Sequence, residues 1–292
     1  MSTTNLSDVN EQIQKFWSPM FMDELMESVL LPSLVNKDYE GSIAKGGDTV
    51  YVSQINRPVG ETRTVGVDAD TFNSEKLSTS RVAIQANKRF QASFEFDDLV
   101  DLQSQIGDQN SKIRATLLES MEIQLNNYLY SLISPSAASP DHVLTSVTDF
   151  NLTQLNIIRT LAAQARWRKD GWYLLADPQY ASDMLNNSTL TSVDFGAQDA
   201  PIIGGQMSRQ RLGFNILEDA SDGILSLSGS SADAAIAFHP DFMHLVMQKQ
   251  PTFKVADLTS NHQHGFVIVA DMIGGAGLGI DGAKKHISII NS

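Results

Sequence analysis

The only spacing in this chain that suits a metal ligand set is His262-x-His264, with His239 and His244 upstream. Alternate residues of a strand share a face, so two imidazoles so spaced could grip one ion. Such an ion would activate water, which is the chemistry of a metal-dependent hydrolase. A working site needs a third or fourth ligand and a carboxylate shell to orient the rings. Asp257 and Asp271 are on offer, but the chain holds 34 acidic residues and nothing singles these two out. Two histidines in a polar turn are ordinarily solvated.

The other suggestive stretch is Gly274-Gly275-Ala276-Gly277-Leu278-Gly279, which follows an apolar run. A phosphate loop needs a helix whose N-terminus faces the phosphates, and the dinucleotide version needs a further strand. The residues after Gly279 include Gly282 and a strand-like tail instead, so a glycine bend between strands is expected. No G-x-S-x-G, Walker loop, HExxH or EF-hand loop occurs. The expectation is no enzyme: no catalytic residue, no cofactor and no metal.

Charge narrows the partners. With 34 acidic and 21 basic residues the formal net charge is −13, which argues against dedicated nucleic-acid binding. The basic knots at Arg166-Trp167-Arg168-Lys169, Arg209-Gln210-Arg211 and Lys284-Lys285-His286 read as solvated turns or helix ends. Hydrophobic content of 42% and charged content of 19% describe a globular chain. There is no cysteine, and the start lacks the pattern of a secretory signal. The longest strongly apolar run, residues 266–270, is too short to cross a bilayer, so no membrane partner is expected.

The elements come next. From Val82 to Phe96 every even position except Lys88 is apolar, and the odd positions are polar except Ala83. That alternation predicts one strand with a wet and a dry face, roughly 50 Å long at ~3.3 Å per residue. A strand of that length projects from a domain of this size. With the strand at 49–55 and the polar stretch 58–80 it makes an extended hairpin. Residues 8–31 read as a two-helix arm closed by Pro32 and loaded with Phe16, Trp17, Met20 and Phe21. Such a face packs on its own domain or on a neighbouring subunit; composition does not choose.

Residues 108–134 contain neither Gly nor Pro, and Ile113, Leu117, Met121, Leu125, Tyr128 and Leu132 form one stripe. This predicts a helix of roughly 40 Å. The stretch 134–141 is a linker, after which the pattern turns α/β. Helices are expected at 152–168 and after Asp177-Pro178. Strands are expected at 172–176, 214–217, 224–227, 234–238, 242–247, 266–270 and 286–290.

This order of elements resembles the major capsid proteins of tailed double-stranded-DNA bacteriophages, the Hong Kong 97 capsid fold. Gly46-Gly47-Asp48-Thr49-Val50 is similar to the family's lead-in to its extended loop. Residues 169–178 (KDGWYLLADP) resemble its axial-domain strand, which ends in proline and starts a helix. Residues 212–218 (LGFNILE) resemble a later axial strand, and 266–280 with 283–290 its final peripheral strand and return.

The resemblance implies an α+β class with an N-terminal arm, an extended β-hairpin loop, a peripheral domain with a long spine helix, and an α/β axial domain. Its boundaries here are 1–47 for arm and connector, 48–96 for the loop and 97–134 for the spine region. They continue with 135–245 for the axial domain, 246–270 for peripheral strands and 271–292 for the return. It further implies a structural shell protein of the virion, built from hexamers and pentamers of this chain in the host bacterial cytoplasm. The shell would enclose double-stranded DNA without reading its sequence, and a separate scaffolding protein and a portal are expected partners. An encapsulin-like nanocompartment shares the fold and is the alternative. Expected assembly contacts are Phe16, Trp17, Met20 and Phe21 in the arm and Arg57, Arg63, Asp70 and Lys76 in the loop.

Overall fold

The computed structural model describes residues 29–39, 49–66, 74–97, 110–135, 141–169, 171–191, 210–228, 233–258 and 265–291. Its strands fall into three sheets. β1 (Thr49–Ile55) and β2 (Thr79–Gln85) form an antiparallel pair with Val52 opposite Val82. β3 (Lys88–Asp97), β10 (Gly265–Leu278) and β9 (Met243–Asp257) form an antiparallel sheet in the order β3-β10-β9. The third sheet has six strands in the order β4-β11-β8-β5-β7-β6, namely His142–Leu144, His286–Ile290, Ala234–Phe238, Trp172–Ala176, Phe214–Glu218 and Gln210–Arg211.

The alternating run from Val82 to Phe96 is two strands, which corrects the single 50 Å strand. The chain leaves β2 at Gln85, turns through Ala86 and Asn87, and enters a different sheet at Lys88. Alternation survives because Ile84, Ala86 and Phe90 all bury, so the sequence pattern cannot register the turn. The turn is possible because β10 crosses close beneath it. A Cβ on Gly275 would lie 1.9 Å from the Gln85 carbonyl oxygen and 3.0 Å from the Ala86 Cα. The glycine run is therefore strand, not a bend between strands. It sits beside a bulge between Asp271 and Gly274, a usual place for strand glycine. β9 runs far past the expected 242–247, since an edge strand can carry Pro251 at that bulge.

The long helix is α2 (Asn110–Ile133), after a short α1 (Leu31–Leu34). α2 buries Leu117, Met121, Leu125, Leu129, Tyr130 and Ile133, and spans about 36 Å. It lies along the three-stranded sheet as far as Tyr128, whose ring meets Phe90 at 5.7 Å, and packs with Ile268, Ala270 and Met272. Its last turns join the same core to Leu175, Ile236 and Phe238 of the six-stranded sheet. The opposite face of that sheet lies under α3 (Leu152–Gln164) and α4 (Pro178–Asn186), through Leu155, Ile158, Ala162, Tyr180 and Met184. Burial on both faces explains the unbroken apolar run AAIAF; HISII is also buried at every position, with His286 Nδ1 against Gly282 O at 2.8 Å.

α3 starts where Asn151 caps Thr153 and ends sooner than expected, with Arg166 left-handed (φ 61°) and Trp167 turned inward. Asp177 caps α4 by accepting from Tyr180 N at 2.9 Å, as the Asp-Pro pair predicts. α5 (Ser188–Thr191) follows. The strand expected at 224–227 is instead α6 (Asp222–Leu225) and a 3-10 turn. Gly223 lets that turn sit on α2, where a Cβ would be 2.3 Å from the Tyr130 ring. Ile224 and Leu227 then bury at helical spacing. Pro32 stands in the first turn of α1, so it opens a helix where the sequence suggested a stop.

Replacing Gly275 by Val should force β10 off Gln85 and cost about 1–3 kcal/mol, as overpacking does. Urea unfolding of the variant measures this, and wild-type stability would contradict the close crossing.

Candidate assembly surfaces

Hydrogen bonds beyond the strand ends hold the β1–β2 hairpin as a ribbon. Asn56 N donates to Ser78 O at 2.9 Å, Ser80 Oγ to Asn56 Oδ1 at 2.8 Å, and Val59 N to Glu75 Oε2 at 3.1 Å. At the ribbon's base Val50, Val52, Ile84 and Ala86 pack on Val246, so that end belongs to the subunit. Further out Ile55, Val59, Val65 and Leu77 are between 66% and 100% exposed, and on the other face of the base Tyr51 is 60% exposed beside Arg81. The expected wet ribbon thus carries a row of large apolar side chains.

Of the expected loop contacts, Arg57, Arg63 and Lys76 are exposed, with Arg63 bound to Glu61 at 2.8 Å. Asp70 lies outside the described residues, as do Phe16, Trp17, Met20 and Phe21 of the arm. The described connector after the arm is ordinary core. Leu31 and Val35 bury, and Asn36 joins β9 through Leu245 N (2.9 Å) and Met243 O (3.3 Å). Tyr39 meets the His244 ring edge-on at 5.2 Å.

His262 and His264 also lie outside the described residues. The residues offered as their helpers have other work. His239 Nδ1 accepts from Asp241 N, and burial holds the His244 ring below its usual pKa. Asp271 staples the three-stranded sheet at its bulge. It accepts from Lys249 Nζ at 2.6 Å and Thr252 Oγ1 at 2.8 Å on β9, and from Arg89 Nη2 at 2.8 Å on β3. The Lys249 and Thr252 hydrogen bonds, with Arg89, hold its carboxyl well below the usual range. A second polar tie joins α2 to the six-stranded sheet. Tyr130 donates to Asp219 Oδ2 at 2.5 Å, and Ser221 N donates to Asp219 Oδ1 at 2.9 Å. Burial, then Asp219, pushes the Tyr130 phenol well above its ordinary pKa. Nothing in the sequence pattern marks either tie, because each joins positions far apart in the chain.

Among the described residues no group of three or more His, Cys, Asp or Glu could hold a metal ion. No described helix is long and apolar enough to cross a membrane.

The sequence matches no protein-family model and no curated protein. Solved structures do match, over nearly whole chains. One from Mycobacterium phage Che8 has a TM-score of 0.75 at 18% identity, covering 99% of this chain and 98% of that one. The capsid structure of cyanophage P-SCSP1u gives 0.74 at 12%, with 97% and 94% covered. The cyanophage Pam1 capsid gives 0.72 at 10%, with 99% of each covered. The fold is the α+β Hong Kong 97 capsid fold.

Because the Asp271 carboxyl is depressed in the folded chain, its ionised form adds stability above about pH 4 that fades as pH falls towards the folded value. Asp271→Asn should therefore cost about 1–3 kcal/mol at pH 7, the range for charged hydrogen bonds. The deficit should shrink below pH 4. Denaturant melts across pH read both, and equal stability at pH 7 would contradict the staple.

Proposed function

We propose that this chain is the major capsid protein of a tailed double-stranded-DNA bacteriophage, a structural protein and not an enzyme. The observation that carries this is the whole-chain likeness to phage capsid structures. Those neighbours favour a DNA shell over a protein-filled compartment. The hydrolase alternative loses its support in Asp271 and His239, both engaged in structural hydrogen bonds.

The mechanism is geometric. Copies assemble as hexamers and pentamers into an icosahedral shell, each ribbon lying on a neighbour and the arm adding contacts through Phe16, Trp17, Met20 and Phe21. In this reading 1–47 holds the arm and connector and 48–96 the extended loop, 97–134 and 246–270 form the peripheral layer, and 135–245 with 271–292 the axial one. A separate scaffolding protein sets curvature, a portal occupies one vertex, and assembly takes place in the bacterial cytoplasm. The net charge of −13 suits a lining along which packaged DNA slides.

Magnitudes decide which loop contacts matter. An exposed ion pair such as Arg63–Glu61 is worth ~0–1 kcal/mol. Fully covering Ile55, Val59 or Leu77 would contribute ~1.5–3 kcal/mol each. The apolar row, more than Arg57, Arg63 or Lys76, should hold the ribbon down.

Electron micrographs of the purified chain, expressed with a scaffolding protein, should show closed isometric shells; monomers under all such conditions would overturn the reading. Ile55→Ser with Leu77→Ser should abolish shells while Arg63→Ala leaves them intact, and the reverse ranking would contradict the apolar grip.

A further inference from the structure

The β5, β7 and β6 part of the six-stranded sheet carries unlike charge at its two ends. Where β4 and β11 begin, the Trp172 end also holds Asp141 and Asp281, the latter bound to Lys284 at 3.1 Å. β5 and β7 run parallel, so Trp172 and Phe214 mark one end and Ala176 and Glu218 the other, about 13 Å away. At the Trp172 end stand Arg159, Arg166, Arg168 and Lys169, all exposed, with Arg211 half-buried on β6. A cleft of about 660 Å³ opens there, floored by Trp172, Leu212 and Gly213 and flanked by Arg159 and Lys169. Among the described residues its lining holds no carboxylate.

The far end is the opposite. Asp177, Glu218, Asp219, Asp222 and Asp233 follow or precede strand termini there, and Asp183 sits on α4 above them. Burial first, and then Asp233 and Asp183, raise the Asp177 carboxyl to about 6. Glu218 and Asp222 reach solvent. One chain therefore carries a basic cleft and an acidic face at opposite ends of one rigid layer.

We infer that the basic cleft of Arg159 and Lys169 receives the Glu218 and Asp222 face of a second copy, so that neighbouring axial layers join head to tail around a ring. This rests on the shell reading above and specifies its contact. A surface pairing two different patches of the same chain is heterologous, and repetition about an axis closes it into a ring. Charge complementarity would fix the order of copies and speed their encounter more than it would add affinity. An acidic chain gives the cleft a cognate acid on every neighbour, whereas nucleic acid would leave the acidic face unmatched.

The test uses the full chain with charge reversals at exposed positions. Arg159→Glu with Lys169→Glu, and separately Glu218→Lys with Asp222→Lys, should each lose the shell peak in sedimentation while circular dichroism stays native. A chain carrying all four reversals should regain it, because the two faces are complementary again. Should the fourfold variant misfold, Arg159→Gln with Lys169→Gln is read by salt. Its assembly should depend less on NaCl than the wild type's, and an equal dependence would overturn the contact. Wild-type shells with both reversed pairs still assembling would also overturn it, as would a native-folded fourfold variant that stays apart. So would reversals that release bound nucleic acid without affecting shells. In each of these cases the shell reading stands. Wild-type chain that never assembles would instead overturn the shell reading, and this contact with it.

Discussion

A single close approach allows this chain to be both a compact body and a projecting ribbon. β10 passes under the turn between β2 and β3 at a distance that only a bare backbone permits, with Gly275 against the Gln85 carbonyl. Because of that crossing, one continuous segment serves two sheets. Its second half is locked beside β10 by a ladder from Lys88 to Asp97, while its first half is free to pair with β1 and leave the body. Gly277 under Ile84 and Val246 under the hairpin base extend the same contact. The ribbon is thus anchored at its root and carries its apolar residues outward.

The rest of the body fixes where that root points. α2 bridges the two larger sheets, so the three-stranded and six-stranded layers share one core instead of moving as loose domains. The Tyr130–Asp219 hydrogen bond pins the end of the helix, and the Asp271 cluster pins the far sheet at its bulge. Buried polar ties of this kind add modest net stability, but leaving any partner unpaired is costly, so they select one geometry. The shell subunit proposed above needs such a fixed geometry, since small angular errors accumulate around a closed surface.

Much of this was legible in the sequence because the signals were local. The stripe from Ile113 to Leu132, the Asp177-Pro178 cap and the buried runs 172–176, 234–238 and 286–290 each appear where pattern and chemistry put them. What escaped depends on contacts between distant segments. The turn at Ala86–Asn87 is silent because burial keeps its parity across it. β10 through Gly274 and β9 through Pro251 both violate local propensity; the first is held between two partner strands beside a bulge, the second at the sheet edge. α6 looked like a strand until Tyr130 and Gly223 came together. Of the expected assembly residues, Arg57, Arg63 and Lys76 lie exposed on the ribbon, but the exposed apolar side chains beside them were hidden by their spread over 27 positions, from Tyr51 to Leu77.

Hydrogen exchange on the ribbon tests the central claim, that it is built for a neighbour and not for its own subunit. Amides of residues 59–66 and 74–78 should exchange rapidly in free subunits and slow markedly when shells form, while β5 and β8 stay protected in both states. Equal protection of the ribbon before and after assembly would contradict the account.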